Sequence, residues 1–229
     1  DAAAAYQFSR ADQDAFAIAS LERAKTAVTS GAFKREIVPV EVTTRKGVEV
    51  VADDEQPLKG DAAKIPTLKP AFAKDGTITA ANASSISDGA AALVMTRLSV
   101  AEKLGLTPVA KVAAHAAHAH EPGLFTTAPV PAMRKALEKA GWKAADVDLY
   151  EVNEAFAVVA MIAMTELGLS HEVVNVNGGA CALGHPIGAS GARILATLLS
   201  ALEARGGKRG VASLCIGGGE ATAMAVELL

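Results

Sequence analysis

The side chains best suited to chemistry stand in three short stretches of the C-terminal half. These are an amide, Asn153, at the end of DLYEV; an imidazole, His185, within VNVNGGACALGHPIGASGAR; and a thiol, Cys215, in VASLCI just ahead of Gly217, Gly218 and Gly219. A neutral imidazole donates a hydrogen bond or takes a proton, and a thiol of ordinary pKa about 8.5 becomes an acid or base near neutrality once a neighbour adjusts it. An amide orients a water or polarises a carbonyl. Backbone N–H groups at Gly217 and its neighbours offer an oxyanion pocket. The set suits reactions that pass through an enolate or a tetrahedral thioester adduct. Taken singly, each residue has an ordinary explanation: Asn153 as a helix N-cap, Cys215 as an inert core thiol, His185 as a solvent histidine on a tight turn. Their shared location at strand ends, where ligands of α/β sheets gather, favours a site.

The elements that must position them are legible as an alternation. A helix starts with Pro131 at N1 and stops at Gly141, and a strand runs over Val147 to Val152. The helix EAFAVVAMIAMTEL ends at Gly168, and a strand from Val173 to Val176 leads into the glycine loop. Ser190 stands as N-cap of ARILATLLSALEAR, which Gly206 and Gly207 stop; strands Val211 to Ile216 and Ala223 to Leu229 follow. This pattern predicts a layered α/β domain whose sheet is covered on both faces.

Upstream, SRADQD opens an amphipathic helix with Ser9 and Asp12 as a weak capping box, ending at Gly31. Ile37 to Thr43 and Val48 to Val51 read as a hairpin, Asp53 to Glu55 as a solvated loop, and Gln56 to Gly76 as an extended surface excursion. The small, polar run Thr77 to Gly89 either lets something long and thin lie against the backbone or simply turns the chain. Val109 to His120 alternates as a strand would, with His118 and His120 on one face, yet the three histidines of this stretch match no metal-ligand spacing.

With 229 residues, 51% of them hydrophobic, the chain can bury a sizeable core. A net charge of −3 with both signs interspersed gives no nucleic-acid surface, and no run approaches the ~20 apolar residues of a membrane span. Cys181 and Cys215 are expected as reduced thiols in a cytoplasmic setting. The chain opens at Asp1 within a helix-like alanine run, with no initiator Met, so a portion of a longer protein is expected.

NEAF from Asn153 to Phe156, NVNGGACALGHPIGASGAR ending at Arg193, and CIGGGEATA from Cys215 closely resemble three motifs of the thiolases, in order and in register. TAANAS, Thr79 to Ser84, resembles the family's segment beside the pantetheine arm of coenzyme A. The resemblance spans nearly the whole chain. It implies a thiolase-like layered α/β fold with a mixed sheet covered by helices, plus a tetramerisation-type loop subdomain. Residues 1–86 would form that loop domain, 87–106 the tail of the N-terminal thiolase domain, and 107–229 the C-terminal one. It also implies a reversible Claisen condensation of two acetyl-CoA to acetoacetyl-CoA and coenzyme A, without metal or covalently bound cofactor. His185 would activate the acyl-accepting cysteine and, with a water held by Asn153, stabilise the enolate oxygen. Cys215 would be the acid/base, and Gly217 would serve a second oxyanion hole. Ser84, Ala80, Ala83 and Phe72 would line the coenzyme A channel, Phe156 would also be a coenzyme A-binding residue, and Phe125 would sit near the acyl group.

The departure is that the family's nucleophilic cysteine lies in an N-terminal domain nearly absent here, and neither Cys181 nor Cys215 matches it, so the chain alone is expected to be inactive. Leu21 stands near the position where some relatives use a tyrosine for potassium. The partners implied are acetyl-CoA and acetoacetyl-CoA, the remaining half of the enzyme, and further copies in a homo-tetramer or dimer, with no nucleic acid or membrane. The alternatives are a 3-ketoacyl-CoA thiolase of broader chain length and a non-catalytic acyl-CoA-binding or assembly module.

Overall fold

The computed structural model describes residues 1–229. A helical turn of alanines, α1 (Ala2–Ala5), precedes the long α2 (Arg10–Ser30), whose entry is the full Ser9–Asp12 capping box and whose exit is Gly31 in the left-handed conformation. The face that α2 buries carries Gln13, Asp14 and Ser20 as well as Phe16, Ala17, Leu21 and Ala24. It is therefore not the simple apolar stripe that the sequence suggested. The expected hairpin forms as β1 (Val40–Thr44) and β2 (Gly47–Val51), with nearly every side chain exposed.

The stretch expected to be an extended excursion is instead folded back. α3 (Glu55–Lys59) and a 3-10 segment (Ala62–Thr67) bury Pro57 and Ile65, and Ile65 packs with Leu21 and Ala24 of α2. Of the acidic trio read as a solvated loop, Glu55 opens α3 and Asp54 is partly buried, which raises its carboxyl pKa. After α4 (Leu98–Lys103) the regular domain begins with β3 (Ala110–Ala119), which places His118 and His120 on one face with ring centroids 5.0 Å apart.

α5 (Pro129–Ala140) starts at Pro129, two residues before the expected Pro131, and ends as expected at Gly141. β4 (Leu149–Val152) and α6 (Ala157–Leu167) follow, and α6 starts three residues later than the sequence suggested because Glu154 to Phe156 are held in a turn by other segments. No strand forms over Val173 to Val176. A 3-10 turn (His171–Val173) and a single bridge from Val174 to Tyr150 stand in its place, because Asn175 turns the backbone at φ 48°. α7 (Ala180–Leu183), α8 (Ser190–Arg205), β5 (Arg209–Ile216) and β6 (Glu220–Leu228) complete the chain.

The sheet has the order β3-β6-β5-β4, with β4 parallel to β5 and the other pairs antiparallel. It is thus the mixed sheet implied by the motifs. Alternation along the strands splits the core in two. Val152, Val211, Cys215 and Ala223 pack under α5 and α6, while Leu149, Ala212 and Val226 pack under Ile194, Leu198 and Leu202 of α8. α6 is apolar through its first two turns, where Ala157 to Ala160, Ile162 and Ala163 are buried, while Met161 and Met164 are partly buried and Thr165 is exposed. No helix is long and apolar enough to cross a membrane.

Leu198 is fully buried between α8 and the sheet, and its methyls lie against the position where Gly210 lacks a Cβ. Leu198→Ala is expected to lower unfolding stability by about 2–5 kcal/mol, measured by urea denaturation.

Candidate active site

Strand register brings the three motifs to one end of the sheet. Val152 pairs with Ser213, and the Asn153 amide donates to the Ser213 carbonyl at 2.9 Å. Asn153 thus ends β4, and Cys215 stands two residues past Ser213 on the neighbouring strand, paired to Ala221. The glycine loop is then hung from the outer edge of β4. Asn175 donates its backbone N–H to the Tyr150 carbonyl at 2.9 Å, and its carboxamide accepts from the Val152 N–H and donates to the Val152 carbonyl, both at 2.8 Å.

His185 sits half-buried on that loop. The Ser190 hydroxyl donates to the Pro186 carbonyl at 3.1 Å, so it accepts from the imidazole Nδ1–H at 2.6 Å. With the ring assigned this tautomer, Nε2 is unprotonated and faces the Asn153 Nδ2 at 3.4 Å. Ser190 is accordingly not the N-cap read from the sequence. Ala189 occupies that position, and Ser190 is spent on orienting the histidine. Burial first, then the Arg193 guanidinium, holds the His185 pKa below its ordinary value, which keeps the ring neutral near pH 7. The Asn153 Oδ1 is buried and has no partner within the protein. One amide oxygen is thus left to accept from a ligand or a water.

Cys215 is brought to the same end of the sheet but not into hydrogen-bond contact with His185 or Asn153. It belongs to the cluster beneath α5 and α6, is 7% exposed, and burial pushes its thiol up to about 11. Gly217 is exposed, with open space where a side chain would begin. Gly219, by contrast, must be glycine, because at φ 94° a Cβ would run into the His120 carbonyl. Cys181 is also a free, buried thiol.

The small-residue run from Thr79 to Ser87 does not merely turn. Ala83 bridges to Phe156, the Ser84 N–H and hydroxyl both donate to the Ala155 carbonyl at 3.0 Å, and the Ser85 carbonyl accepts from the His185 N–H at 3.0 Å. It straps the turn after Asn153 to the histidine loop. On the far side of Phe156 lies a cavity of about 500 Å³ whose walls include Phe72, Phe125 and Phe156, with Phe8, Thr126 and Val158. The rings of Phe72 and Phe125 lie 6.5 and 6.1 Å from that of Phe156. Ala80 is exposed and lines no part of this cavity.

Several polar residues of the site escaped the sequence reading. Glu154 is fully buried and accepts from Ser20, Asn175 and the Cys181 N–H. Glu151, one pleat before Asn153, is 2% exposed and faces the Arg193 guanidinium at 3.8 Å, while Glu36 accepts from Thr197 of α8 at 3.2 Å. A signal existed for Glu154. A carboxylate at the head of a helix as apolar as AVVAMIAM has no solvated face to occupy.

Comparison with known proteins accords with this geometry. A family model described as the thiolase C-terminal domain matches residues 106–228, and one described as the thiolase N-terminal domain matches residues 1–99. The chain is 52% identical over 226 residues to an acetyl-CoA acetyltransferase of Thiocystis violacea, covering 98% of this chain and 57% of the relative. An acetyl-CoA acetyltransferase of Escherichia coli is likewise 52% identical over 225 residues, with 98% and 57% covered. Among solved structures, Bacillus anthracis acetyl-CoA acetyltransferase superposes with TM-score 0.96 at 42% identity, covering 100% of this chain and 58% of that one. Human mitochondrial 3-ketoacyl-CoA thiolase superposes with TM-score 0.91 at 38% identity, with 100% and 58% covered. The chain therefore spans somewhat over half the length of the curated relatives it matches.

Burial places the Glu151 carboxyl at about 8 and that of Glu36 at about 7, against an ordinary value of 4.5. A carboxyl raised on folding favours the protonated fold. Its stabilisation is complete below about 4.5 and is lost as pH rises through about 7 to 8. Glu151→Gln should flatten this slope. Urea midpoints at about pH 5 and about pH 9 are expected to show the variant equal to the parent at the lower pH and more stable at the higher.

Proposed function

This chain belongs to the thiolase family, and from that membership we propose that the whole protein is an acetyl-CoA acetyltransferase, joining two acetyl-CoA into acetoacetyl-CoA and free coenzyme A. The reverse direction is thiolysis. The observation that carries this reading is the approach of Asn153 Nδ2 to His185 Nε2 at 3.4 Å, at the end of the sheet where the three motifs meet.

In this proposal His185 Nε2 first takes the proton of the acyl-accepting thiol, which the thiolase resemblance would place on a cysteine outside this chain. A neutral ring with its Nδ1–H already committed to Ser190 is the form that can do so. Once protonated, Nε2–H becomes a donor toward the thioester oxygen of the enolate, with the Asn153 carboxamide alongside. Cys215 moves the proton at the reacting carbon. Its thiol, raised to about 11 by burial, is a proton donor at rest, suited to protonating the enolate released in thiolysis. In condensation Cys215 would give that proton to the coenzyme A thiolate expelled by acetyl transfer, and the thiolate so formed would take a proton from the methyl of the second acetyl-CoA. When the new C–C bond expels the nucleophilic cysteine, His185 would return its proton to that sulfur. The Gly217 N–H would serve the second oxyanion hole, and metal has no part in these steps as proposed.

The acyl group would lie against Phe125, and the pantetheine arm of coenzyme A along Phe72, Ala80, Ala83 and Ser84, with Phe156 also binding coenzyme A. Residues 1–86 are assigned to a loop domain, 87–106 to the end of the N-terminal thiolase domain and 107–229 to the C-terminal one, an assignment supported by matched ranges that break between 99 and 106. A homo-tetramer or dimer in the cytoplasm belongs to the same proposal. The outward-facing valines of the hairpin, Val40, Val42, Val48 and Val50, support further contacts between copies.

Cys215→Ala in the whole protein should abolish condensation of acetyl-CoA while leaving transfer of acetyl to the nucleophilic cysteine partly intact. Separate assays of the two half-reactions check this, and equal losses in both would remove Cys215 from the role. The parent protein is also expected to cleave acetoacetyl-CoA faster than a long-chain 3-ketoacyl-CoA, and the reverse order would assign it to the broader-chain branch.

A further inference from the structure

We propose that Glu154 is a positioning residue for this reaction, its buried carboxylate clamping the loop that carries His185 to the strand end that carries Asn153. The proposal rests on the acetyltransferase reading above. Glu154 is fully buried, and three separate segments converge on it. Its Oε2 accepts from the Ser20 hydroxyl of α2 at 2.7 Å and from the Cys181 N–H at the start of α7 at 3.1 Å, and its Oε1 accepts from Asn175 Nδ2 at 2.9 Å. The Ser20 oxygen in turn accepts from the Gly179 N–H at 3.0 Å.

The loop has been thinned to reach this group. Gly178, at φ 78°, lies where a Cβ would meet the Ser20 carbonyl at 2.5 Å, and a Cβ on Gly179 would run into the Glu154 carboxylate itself. From the Cys181 anchor to His185 is four residues, mostly the single turn of α7, a lever of roughly 6 Å at helical rise. The other end of that lever is tied by the Ser85 carbonyl to the His185 N–H. A loosened anchor would move the imidazole while leaving the strands in place.

All three partners are donors, so only a group that accepts on both oxygens satisfies them. The Asn175 amide cannot turn over to help, because both of its ends are already bonded to the Val152 backbone. Glutamine is nearly isosteric with glutamate, yet wherever its NH₂ lies it faces another donor. Burial pushes the Glu154 carboxyl pKa up, and the hydrogen bonds from Ser20, Asn175 and Cys181 oppose that rise.

The test uses Glu154→Gln and the milder Ser20→Ala in the whole protein, with Leu137→Ala, remote from the loop, as a control for lost stability. Two readouts are taken: kcat and KM for acetoacetyl-CoA thiolysis, and the ¹⁵N imidazole spectrum of His185, assigned by its loss in His185→Gln. Misplacing a reacting group by about 1 Å costs on the order of 10²-fold in rate. Glu154→Gln should therefore lose kcat on that scale with KM little changed, with Ser20→Ala intermediate and Leu137→Ala near the parent. The His185 nitrogens should pass from one neutral tautomer to a mixture. Parent-like kcat together with a parent-like His185 spectrum in both loop variants would overturn the proposal, and so would an equal kcat loss in Leu137→Ala. Should the parent protein lack thiolysis altogether, the functional reading fails, and the His185 spectrum alone then decides the clamp: altered in Glu154→Gln supports it, unchanged refutes it. If Glu154→Gln does not fold, Ser20→Ala is judged by the same two readouts.

Discussion

A side-chain amide completes the sheet where a strand would otherwise be needed. The carboxamide of Asn175 meets both the N–H and the carbonyl of Val152, as the backbone of a neighbouring strand would do, and the residue's left-handed backbone then turns the chain away. This satisfies the last polar groups on the open edge of β4, which burial would otherwise leave costly. It also fixes where the glycine loop departs, one residue from Asn153. The loop, the short α7 and the imidazole inherit their placement from that exchange of hydrogen bonds.

Around this point the protein buries an unusual amount of carboxylate. Glu151 and Glu154 are both nearly inaccessible, and Glu36 accepts from Thr197 midway along α8. Nearby cations are Arg193, on the first turn of α8, and Arg23 of α2, which donates to the Val174 carbonyl. Burial raises the carboxyl pKa values of Glu151 and Glu36, while burial and Arg193 lower that of His185, so these groups favour neutral forms. Glu154 differs, because donors from Ser20, Asn175 and Cys181 oppose the effect of burial on its carboxylate. A neutral imidazole and an undissociated Cys215 thiol are the resting states that enolate chemistry would start from.

Much of this was legible in the residues, and the limits are instructive. Helix ends written in local chemistry were read correctly: the Ser9–Asp12 box, and Gly31, Gly141 and Gly206 as left-handed exits. So were the hairpin and the α/β alternation, while the mixed character of the sheet came from the thiolase resemblance. Features that depend on distant partners were not. Val173 to Val176 has the composition of a strand, but the Asn175 side chain takes the place of the ladder. Ser190 has the look of an N-cap, and the five-residue reach to His185 that claims its hydroxyl has no local signature. Ser20 and Glu154 lie 134 positions apart and meet only in the folded chain.

The central claim is that this end of the sheet makes and protonates a thioester enolate. Incubating the whole protein with acetyl-CoA in deuterated water tests it directly, without waiting for net turnover. The account predicts steady replacement of the acetyl methyl protons by deuterium, followed by NMR or mass spectrometry, and its disappearance when His185 or Asn153 is replaced. A methyl group that stays protonated in the presence of active acetyl transfer, or exchange that survives both replacements, would contradict it.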